Sequence, residues 1–260
     1  MLKSIQYKNI VAGQGRCSLL TYRIDIYLYA VDGLLIDTGP ESLARGSRKF
    51  FKENRIEQVA LTHVHEDHSG MAPWLQSEMN VPVYLHEKSI PAANKRGKYP
   101  MYRHMIWGAR HAFDPSPMPE MLTTGKYTFE VIDAPGHSEH HNIFLEKNQG
   151  WLFTGDLYVG AKQYVSFHDE NVKDTIASLE KSLKLDFDTV FCAHSGIIEE
   201  GKAKLQKKLE YLQEIQQRVN ALRLEGLSDY EINKRLYPRI PPITRASHGE
   251  WSSYNLVSTI

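Results

Sequence analysis

Short apolar runs recur along the chain, separated by turns or by amphipathic segments. Runs rich in β-branched and aromatic residues predict strands over residues 19–24, 26–30, 34–36, 56–61, 81–85, 127–132, 150–153 and 189–193. Apolar positions at helical spacing predict helices over residues 41–53, 171–184 and 202–225, with a further helix start at 69–76. Pro82 lacks a backbone donor and predicts that its strand lies at a sheet edge. Strands alternating with helices are typical of layered α/β folds.

The pattern changes after residue 200. Leucine, isoleucine and valine recur at helical spacing at positions 205, 209, 212, 215, 219 and 222. This stripe covers barely three heptads, so it predicts a helix packed on a sheet rather than a coiled coil. Gly226 ends this helix, and Ser228 with Glu231 forms a capping box that begins another. We expect a domain over residues 1–200, with C-terminal helices over 201–260 packed on the same domain.

Residues 86–121 interrupt the rhythm of strands and helices. This segment holds five prolines and a run of aromatic and apolar side chains between Tyr99 and Phe113. A long connection with this composition is seldom a plain solvent loop. It predicts either a lid-like insertion over a substrate pocket or an interface with a partner subunit, such as a homodimer.

The composition limits the partners and the cellular compartment that we expect for the chain. Of its 260 residues, 42% are hydrophobic, which suffices for a sizeable core, and 31 basic side chains match 31 acidic ones. This balance argues against a nucleic-acid partner, and the apolar runs are too short to span a membrane. Cys17 and Cys192 are far apart in sequence and no apolar leader follows Met1, so we expect free thiols and a cytoplasmic location.

Residues 62–70, Thr-His-Val-His-Glu-Asp-His-Ser-Gly, concentrate side chains that bind metals. His63, His65, Asp67 and His68 fall within six residues, directly after a predicted strand. Imidazole nitrogen and carboxylate oxygen are ligands for a borderline ion such as Zn²⁺. This spacing does not fit one helix face. A loop can direct the first two histidines to one side and the Asp-His pair to another, which predicts two neighbouring metal ions.

Other polar residues also follow predicted strands. Asp37, His137, Asp156 and His194 each stand at the end of an apolar run. The Pro-Gly pair before His137 forces a turn that directs its side chain toward the rim of the sheet. We therefore expect these residues to meet the histidine motif at one edge of the sheet. Asp37 has a second interpretation, as the N-cap of the helix over residues 41–53.

Taken in order, these motifs resemble those of the metallo-β-lactamase superfamily. The matching stretches are His-x-His-x-Asp-His at 63–68, Pro-Gly-His-Ser at 135–138, Thr-Gly-Asp at 154–156 and the late histidine at 194. The resemblance implies an αββα sandwich that includes the C-terminal helices. It assigns His63, His65 and His137 to one metal, Asp67, His68 and His194 to a second, Asp156 to both, and supporting positions behind these ligands to Asp37 and His141.

The resemblance also implies a chemistry. Two zinc ions, or iron or manganese in their place, lower the pKa of a shared water, so a metal-bridging hydroxide is available near neutral pH. Asp67 and Asp156 are the expected catalytic residues, because either would steer this hydroxide or carry its proton. A small, neutral chain of this kind fits a hydrolase of thioesters or lactones in the glyoxalase II-like or lactonase-like branch.

The substrate contacts are expected from three segments. Tyr102 and Trp107 belong to the lid, and His248 belongs to a C-terminal segment expected to dock near the site. Tyr158 precedes Val159, the position at which the resembled lactonases carry a tyrosine. On the lid interpretation, deleting residues 99–107 should change substrate binding and spare metal content.

Three alternative functions stay open at this level. A mononuclear iron dioxygenase acting on persulfides would use His63, His65 or His68, and Asp156 differently. A phosphodiesterase would share the metals, although such enzymes usually carry extra domains or a basic surface. A non-catalytic metal-binding protein would be expected to lack one or more ligands, and all seven positions are filled here.

Overall fold

A computed structural model describes residues 2–19 and 22–260. Leu20 and Thr21, which belong to the predicted strand over residues 19–24, lie outside the described part. Within it, the first sheet follows chain order: β1 (Lys3–Tyr7), β2 (Ile10–Leu19), β3 (Tyr22–Val31), β4 (Leu34–Ile36), β5 (Gln58–Ala60), β6 (Val83–Leu85) and β7 (Ser116–Pro117). Neighbours pair antiparallel from β1 to β4 and parallel from β4 to β7.

The second sheet is built from later strands. These are β8 (Met121–Thr123), β9 (Thr128–Asp133), β10 (Asn142–Glu146), β11 (Trp151–Gly155), β13 (Thr189–Cys192) and β14 (Gly196–Ile198). Their order across the sheet is β14-β13-β11-β10-β9-β8, with β11 and β13 parallel. A separate short pair joins β12 (Ser166–Phe167) to β15 (Trp251–Ser252). This pair ties the C-terminal segment to the loop that follows β11.

The two sheets face each other across an apolar core, as the alternation along their strands requires. In β4, Leu34 packs between the sheets while its neighbour Leu35 faces the outer helices. In β11, Trp151 lies between the sheets and Leu152 faces outward. Tyr29 of β3 contacts Phe153 and Phe191 of the second sheet edge-on, with centroids 5.5 and 5.4 Å apart. A side-chain period of two therefore buries both faces of each central strand.

Helices cover both outer faces. The first sheet carries α1 (Ala44–Glu53), α2 (Glu66–Ser69), α3 (Ala72–Met79), α4 (Ile90–Ala93) and α5 (Met101–Trp107). The second carries α6 (Val172–Ser182), α7 (Gly201–Leu224), α8 (Asp229–Leu236) and α10 (Ser253–Ser258), and α9 (Pro242–Ala246) packs against β15. Leu205 and Leu212 of α7 share one core with Leu152 and Val190. The predicted αββα sandwich with C-terminal helices is confirmed.

Several local predictions can be compared with the structure. The helix predicted over residues 202–225 is α7, and the capping box of Ser228 and Glu231 is present at the start of α8. The edge position predicted from Pro82 is wrong, because β6 pairs with both β5 and β7. Pro82 precedes the strand, and its carbonyl accepts the Val59 N–H at 2.9 Å. Cys17 and Cys192 are free and buried, as expected.

Among the described residues, no helix combines the length and the apolar character that a bilayer crossing needs.

Candidate metal centre

Three imidazole rings converge beyond the ends of β5 and β9. His63 Nε2 lies 2.9 Å from His65 Nδ1, and His65 Nδ1 lies 3.2 Å from His137 Nε2. His63 and His65 follow β5 in an extended loop, and His137 follows the Pro-Gly turn after β9. The three nitrogens lie within 4.8 Å of one another, which is close enough for one ion to take all three.

A second donor group lies beside the first. Asp67, His68, Asp156 and His194 each place one ligand atom within 4.8 Å of the others. His194 Nε2 lies 3.4 Å from Asp67 Oδ2, and His68 Nε2 lies 3.7 Å from the same oxygen. Asp67 and His68 are on the one-turn helix α2, and His194 follows β13. Carboxylate and imidazole donors at this spacing match the preferences of zinc and of other first-row metals.

Asp156 joins the two groups. Its Oδ2 lies 3.3 Å from His137 Nε2 and 3.2 Å from His194 Nε2, while its Oδ1 lies 3.4 Å from His68 Nε2. The backbone of Gly155 has φ +47°, and a Cβ there would stand 2.6 Å from His141 Nε2. Glycine is therefore required at 155, since only it allows both the turn and the close approach of the ring.

The unpaired buried atoms and the charges of these side chains are those expected of a metal centre. Among residues 2–19 and 22–260, the buried atoms His68 Nε2 and Asp156 Oδ1 have no hydrogen-bond partner, whereas buried polar atoms are nearly always paired. Burial opposes a charged His68, but the carboxylates of Asp37 and Asp156 outweigh it and raise its pKa well above the ordinary value. Burial and the neighbouring histidines lower the pKa of His63 well below its ordinary value. A cluster of closely spaced carboxylates and imidazoles is the arrangement that cations stabilise.

Asp37 lies directly behind His68. Its Oδ2 is 2.8 Å from His68 Nδ1, and its Oδ1 accepts the Thr62 backbone N–H at 2.8 Å. The helical turn at 41–43 begins after Pro40 and has no side-chain cap, so the alternative role of Asp37 as N-cap is not observed. By holding Nδ1, Asp37 directs His68 Nε2 toward Asp156, as carboxylates behind metal-bound histidines do.

His141 also lies behind the candidate ligands. Its Nε2 accepts the backbone N–H of Asp156 at 3.1 Å, and its ring centroid is 5.1 Å from that of His63. Burial lowers its pKa well below the ordinary value, which is consistent with a neutral ring that accepts at Nε2. The adjacent His140 stacks on His86 at 4.8 Å instead. Of this histidine pair, it is therefore His141 that supports the position of Asp156.

Sequence reasoning missed two carboxylates that support the first donor group. Glu170 Oε1 lies 2.9 Å from His137 Nδ1, and its Oε2 accepts a hydrogen bond from Gln163. Asp169 Oδ2 lies 3.9 Å from His65 Nε2. In the sequence these adjacent acids resemble ordinary charges preceding helix α6. Nothing but their place before this helix marks them in the sequence, because the histidines that they contact lie 33 or more residues earlier in the chain.

We expect Glu170→Ala to weaken metal binding about 10- to 100-fold, because His137 loses the group that fixes its tautomer and direction. Competition with a chromophoric chelator measures this affinity. Glu139→Ala is the matched control, since the Glu139 side chain is 87% exposed and should leave affinity unchanged. Glu170→Gln keeps an acceptor at Oε1 and should recover part of the loss. Equal affinity in Glu170→Ala and Glu139→Ala would show that His137 needs no such support.

A cavity of about 200 Å³ opens over the two donor groups. Its wall includes five of the candidate ligands: His65, Asp67, His137, Asp156 and His194. The rest is largely apolar, with Trp107, Phe167 and Trp251 among the lining side chains, and three cations, Arg103, Lys162 and Lys208, also face it. Such a mixture of apolar walls and a few charged groups is typical of small-molecule sites.

One of the four predicted substrate contacts lines this cavity, namely Trp107. Tyr102 instead donates to Glu250 Oε2 at 2.5 Å. Tyr158 is buried, and its carbonyl is bonded to the Cys192 thiol. His248 lines a neighbouring groove. These three side chains therefore lie outside the lining of this cavity, because neighbouring residues on a helix or turn point in different directions.

Several known proteins are similar in sequence to large parts of this chain. The family model described as "Metallo-beta-lactamase superfamily" matches residues 26–194. A hydroxyacylglutathione hydrolase of Nitrosomonas eutropha is 30% identical over 177 residues, which are 65% of this chain and 61% of that protein. An atrochrysone carboxyl ACP thioesterase of Aspergillus fumigatus is 26% identical over 171 residues, which are 64% of this chain and 46% of that protein.

These sequence matches are partial in length. The chain spans about half to three-fifths of the first curated relatives that it matches. A solved beta-lactamase domain protein from Burkholderia ambifaria has a TM-score of 0.71 at 17% identity, and the match covers 97% of this chain and 86% of that one. At this identity the likeness concerns the fold. Because the family model covers strands of both sheets and all seven candidate ligands, the chain belongs to the metallo-beta-lactamase superfamily.

Proposed function

We propose that this chain is a dinuclear metal-dependent hydrolase that cleaves a small thioester, with a lactone as the second candidate substrate. The observation that carries the proposal is the pair of donor groups joined by Asp156. In this assignment His63, His65 and His137 hold one zinc ion, Asp67, His68 and His194 hold the other, and Asp156 is shared. Bound zinc supplies Lewis acidity, which activates water and polarises the substrate carbonyl.

The carboxylates of the site have a second role in this proposal. Burial disfavours charge on Asp156, but His194, His68 and His137 outweigh it and hold its pKa well below the ordinary range. His68 and His194 have the same effect on the pKa of Asp67. Both side chains are therefore carboxylates at neutral pH, and both face the cavity. They are placed to orient the attacking water by hydrogen bonding, whereas so low a pKa makes each of them a weak acceptor for its proton.

The cavity wall favours a compact acyl substrate. Trp107, Phe167 and Trp251 offer apolar surface beside the donor groups, which would hold an acyl chain and exclude bulk water. The relatives named as a hydroxyacylglutathione hydrolase and a thioesterase act on thioesters, which supports that class for this chain. The equal numbers of acidic and basic residues support a small-molecule substrate over nucleic acid. A cytoplasmic setting and a homodimer belong to the same proposal.

The proposed function is tested by measuring the metal content of the protein and its activity on a panel of substrates. We expect about two zinc ions per chain on protein purified without chelator, and hydrolysis of thioesters that chelation removes and zinc restores. Lactones and phosphodiesters in the same panel define the substrate class. One iron per chain with oxygen uptake would support the dioxygenase instead. Bound metal without hydrolysis of any panel member would support a binding protein.

A further inference from the structure

Lys208 is a buried cation on the wall of the proposed active site. It lies on the inner face of α7, one turn from Leu205 and Leu212, and is 3% exposed. Lysine is rarely buried to this extent unless its ammonium has a charged partner. The same side chain lines the cavity that holds His137 and Asp156. A charged side chain therefore occupies a core position where α7 meets the site.

Lys208 has no directly bonded acidic partner in the described residues, although Glu170 and Asp156 of the same cavity favour its charged form from a greater distance. Its Nζ donates to the Leu157 carbonyl at 2.8 Å, and this is its one hydrogen bond among residues 2–19 and 22–260. In those ranges it forms no ion pair. Glu170 of the same cavity is engaged by His137 and Gln163. An ammonium has three N–H donors, so two are free for a ligand.

Arg103 is a cation of the same cavity whose charge is fully paired with carboxylates. Its guanidinium pairs with both oxygens of Glu66 and with Glu250. Lys208 has no equivalent, although burying a charge without a partner costs several kcal/mol. Burial also lowers the pKa of Lys208. Glu170 and Asp156 of the wall oppose this shift in part, and an anion bonded directly to the ammonium would offset the rest of the cost.

We propose, building on the proposed hydrolase function, that Lys208 binds a carboxylate carried by the substrate. The substrate class is thus a thioester with an acidic substituent, held at one end by Lys208 and at the scissile carbonyl by the metal centre. The carboxylate can belong to the acyl group or to the thiol leaving group. The volume of about 200 Å³ suits a compact group of either kind. The geometry assigns Lys208 a role in substrate choice.

Two matched pairs of thioesters test this assignment on the zinc-loaded protein. The first pair compares succinyl and butyryl thioesters of N-acetylcysteamine. The second compares the S-acetyl derivatives of 3-mercaptopropionate and propanethiol. A charge-assisted hydrogen bond is worth about 1.5–3 kcal/mol, so kcat/KM should favour the acidic member of one pair by about tenfold or more. The pair that shows this preference identifies the end of the substrate that Lys208 holds.

Variants then assign the preference to a residue. Lys208→Met should bring the ratio within each pair close to one, and Lys208→Arg should keep part of the preference. Lys162→Met is the matched control, because Lys162 lines the same cavity but is exposed. A preference that survives Lys208→Met, or that Lys162→Met removes, overturns the proposal. A purely structural role for Lys208 would lower both members of a pair equally and leave the ratio unchanged, which also overturns it.

Failure of the hydrolase proposal can be told apart from failure of this one. If no thioester is cleaved, the role of Lys208 is tested by the binding of small carboxylic acids. Trp107 and Trp251 line the cavity, so their fluorescence reports whether a ligand occupies it. Wild-type zinc-loaded protein should bind succinate about tenfold more tightly than butyrate. Lys208→Met should lose this difference, and Lys162→Met should keep it. If thioesters are cleaved, the absence of a preference within both pairs overturns the role of Lys208; if none is cleaved, equal binding of succinate and butyrate by the wild-type protein overturns it.

Discussion

Replacing Asp156 by asparagine should remove hydrolysis and at least one of the two metal ions. An amide has one oxygen where the carboxylate has two, and its NH₂ group would face a histidine nitrogen that now faces Oδ1 or Oδ2. The loss of an outer carboxylate alone costs ~10- to 100-fold in metal affinity or activity, and Asp156 contacts both donor groups directly. We therefore expect kcat/KM to fall by more than about a hundredfold, with metal content measured on the same sample.

Asp133→Asn provides the control for this variant. Asp133 also ends a strand of the second sheet, but its side chain is 70% exposed and lies outside the two donor groups. It should keep metal content and activity. Two metal ions per chain in Asp156→Asn would show that the two groups bind independently, and Asp156 would then not be the shared ligand.

Replacing Arg103 by methionine should destabilise the fold by about 3–5 kcal/mol, because it leaves Glu66 buried and without its charged partner. Arg103 Nε and Nη2 bond both Glu66 oxygens at 2.5 and 2.7 Å, and Nη1 bonds Glu250 at 3.0 Å. Glu66 is 2% exposed. Urea unfolding measures the free energy. Metal content should fall as well, since Glu66 lies between the candidate ligands His65 and Asp67.

Arg235→Met is the control for Arg103→Met. Arg235 and its partner Glu225 are 60% and 56% exposed, and exposed pairs contribute little to stability. Removing Glu66 together with Arg103 should restore part of the loss, because the buried charge is then absent. Arg103→Met unfolding at the same urea concentration as Arg235→Met would contradict this account.

The Arg103 network also changes the expectation for the lid. From the sequence, deleting residues 99–107 should spare the metal site. In the structure this segment supplies Arg103, whose guanidinium packs 4.9 Å from the centroid of the Phe167 ring and, through Glu66, holds the candidate metal-binding loop of residues 63–68. We now expect such a deletion to reduce metal content. The lid and the metal-binding loop are one packed unit.

The candidate ligands were predictable because the ordered motifs resemble those of a known family, and because each motif follows an apolar strand whose end lies at one rim. His137, Asp156 and His194 are found where that rule puts them. Side-chain direction was not predictable in the same way. Tyr102 and Arg103 are neighbours on α5, about 100° apart around the helix, and it is Arg103 that lines the cavity. An aromatic-rich segment indicates a pocket wall without indicating which residue forms it.

Long-range pairings were also beyond sequence reasoning. Glu66 and Arg103 are 37 residues apart, and Glu170 supports a histidine 33 residues earlier. Each of these charges is unremarkable among 62 charged side chains until the packing brings it beneath a ligand. Lys208 shows the same limit, since its neighbours predict a buried face and its own chemistry predicts an exposed one. Whether such a side chain is buried or exposed depends on the complete fold, which the local sequence does not determine.

Neither sheet contains a complete set of candidate ligands. His63, His65, Asp67 and His68 follow the first sheet, and His137, Asp156 and His194 follow the second. A partly folded chain with one sheet formed would therefore hold a metal weakly, and tight uptake would wait for the sheets to dock. Because docking depends on contacts between distant residues, it belongs to the slow part of folding. Metal uptake would then report the final assembly step, and a bound metal pair would slow the separation of the sheets during unfolding.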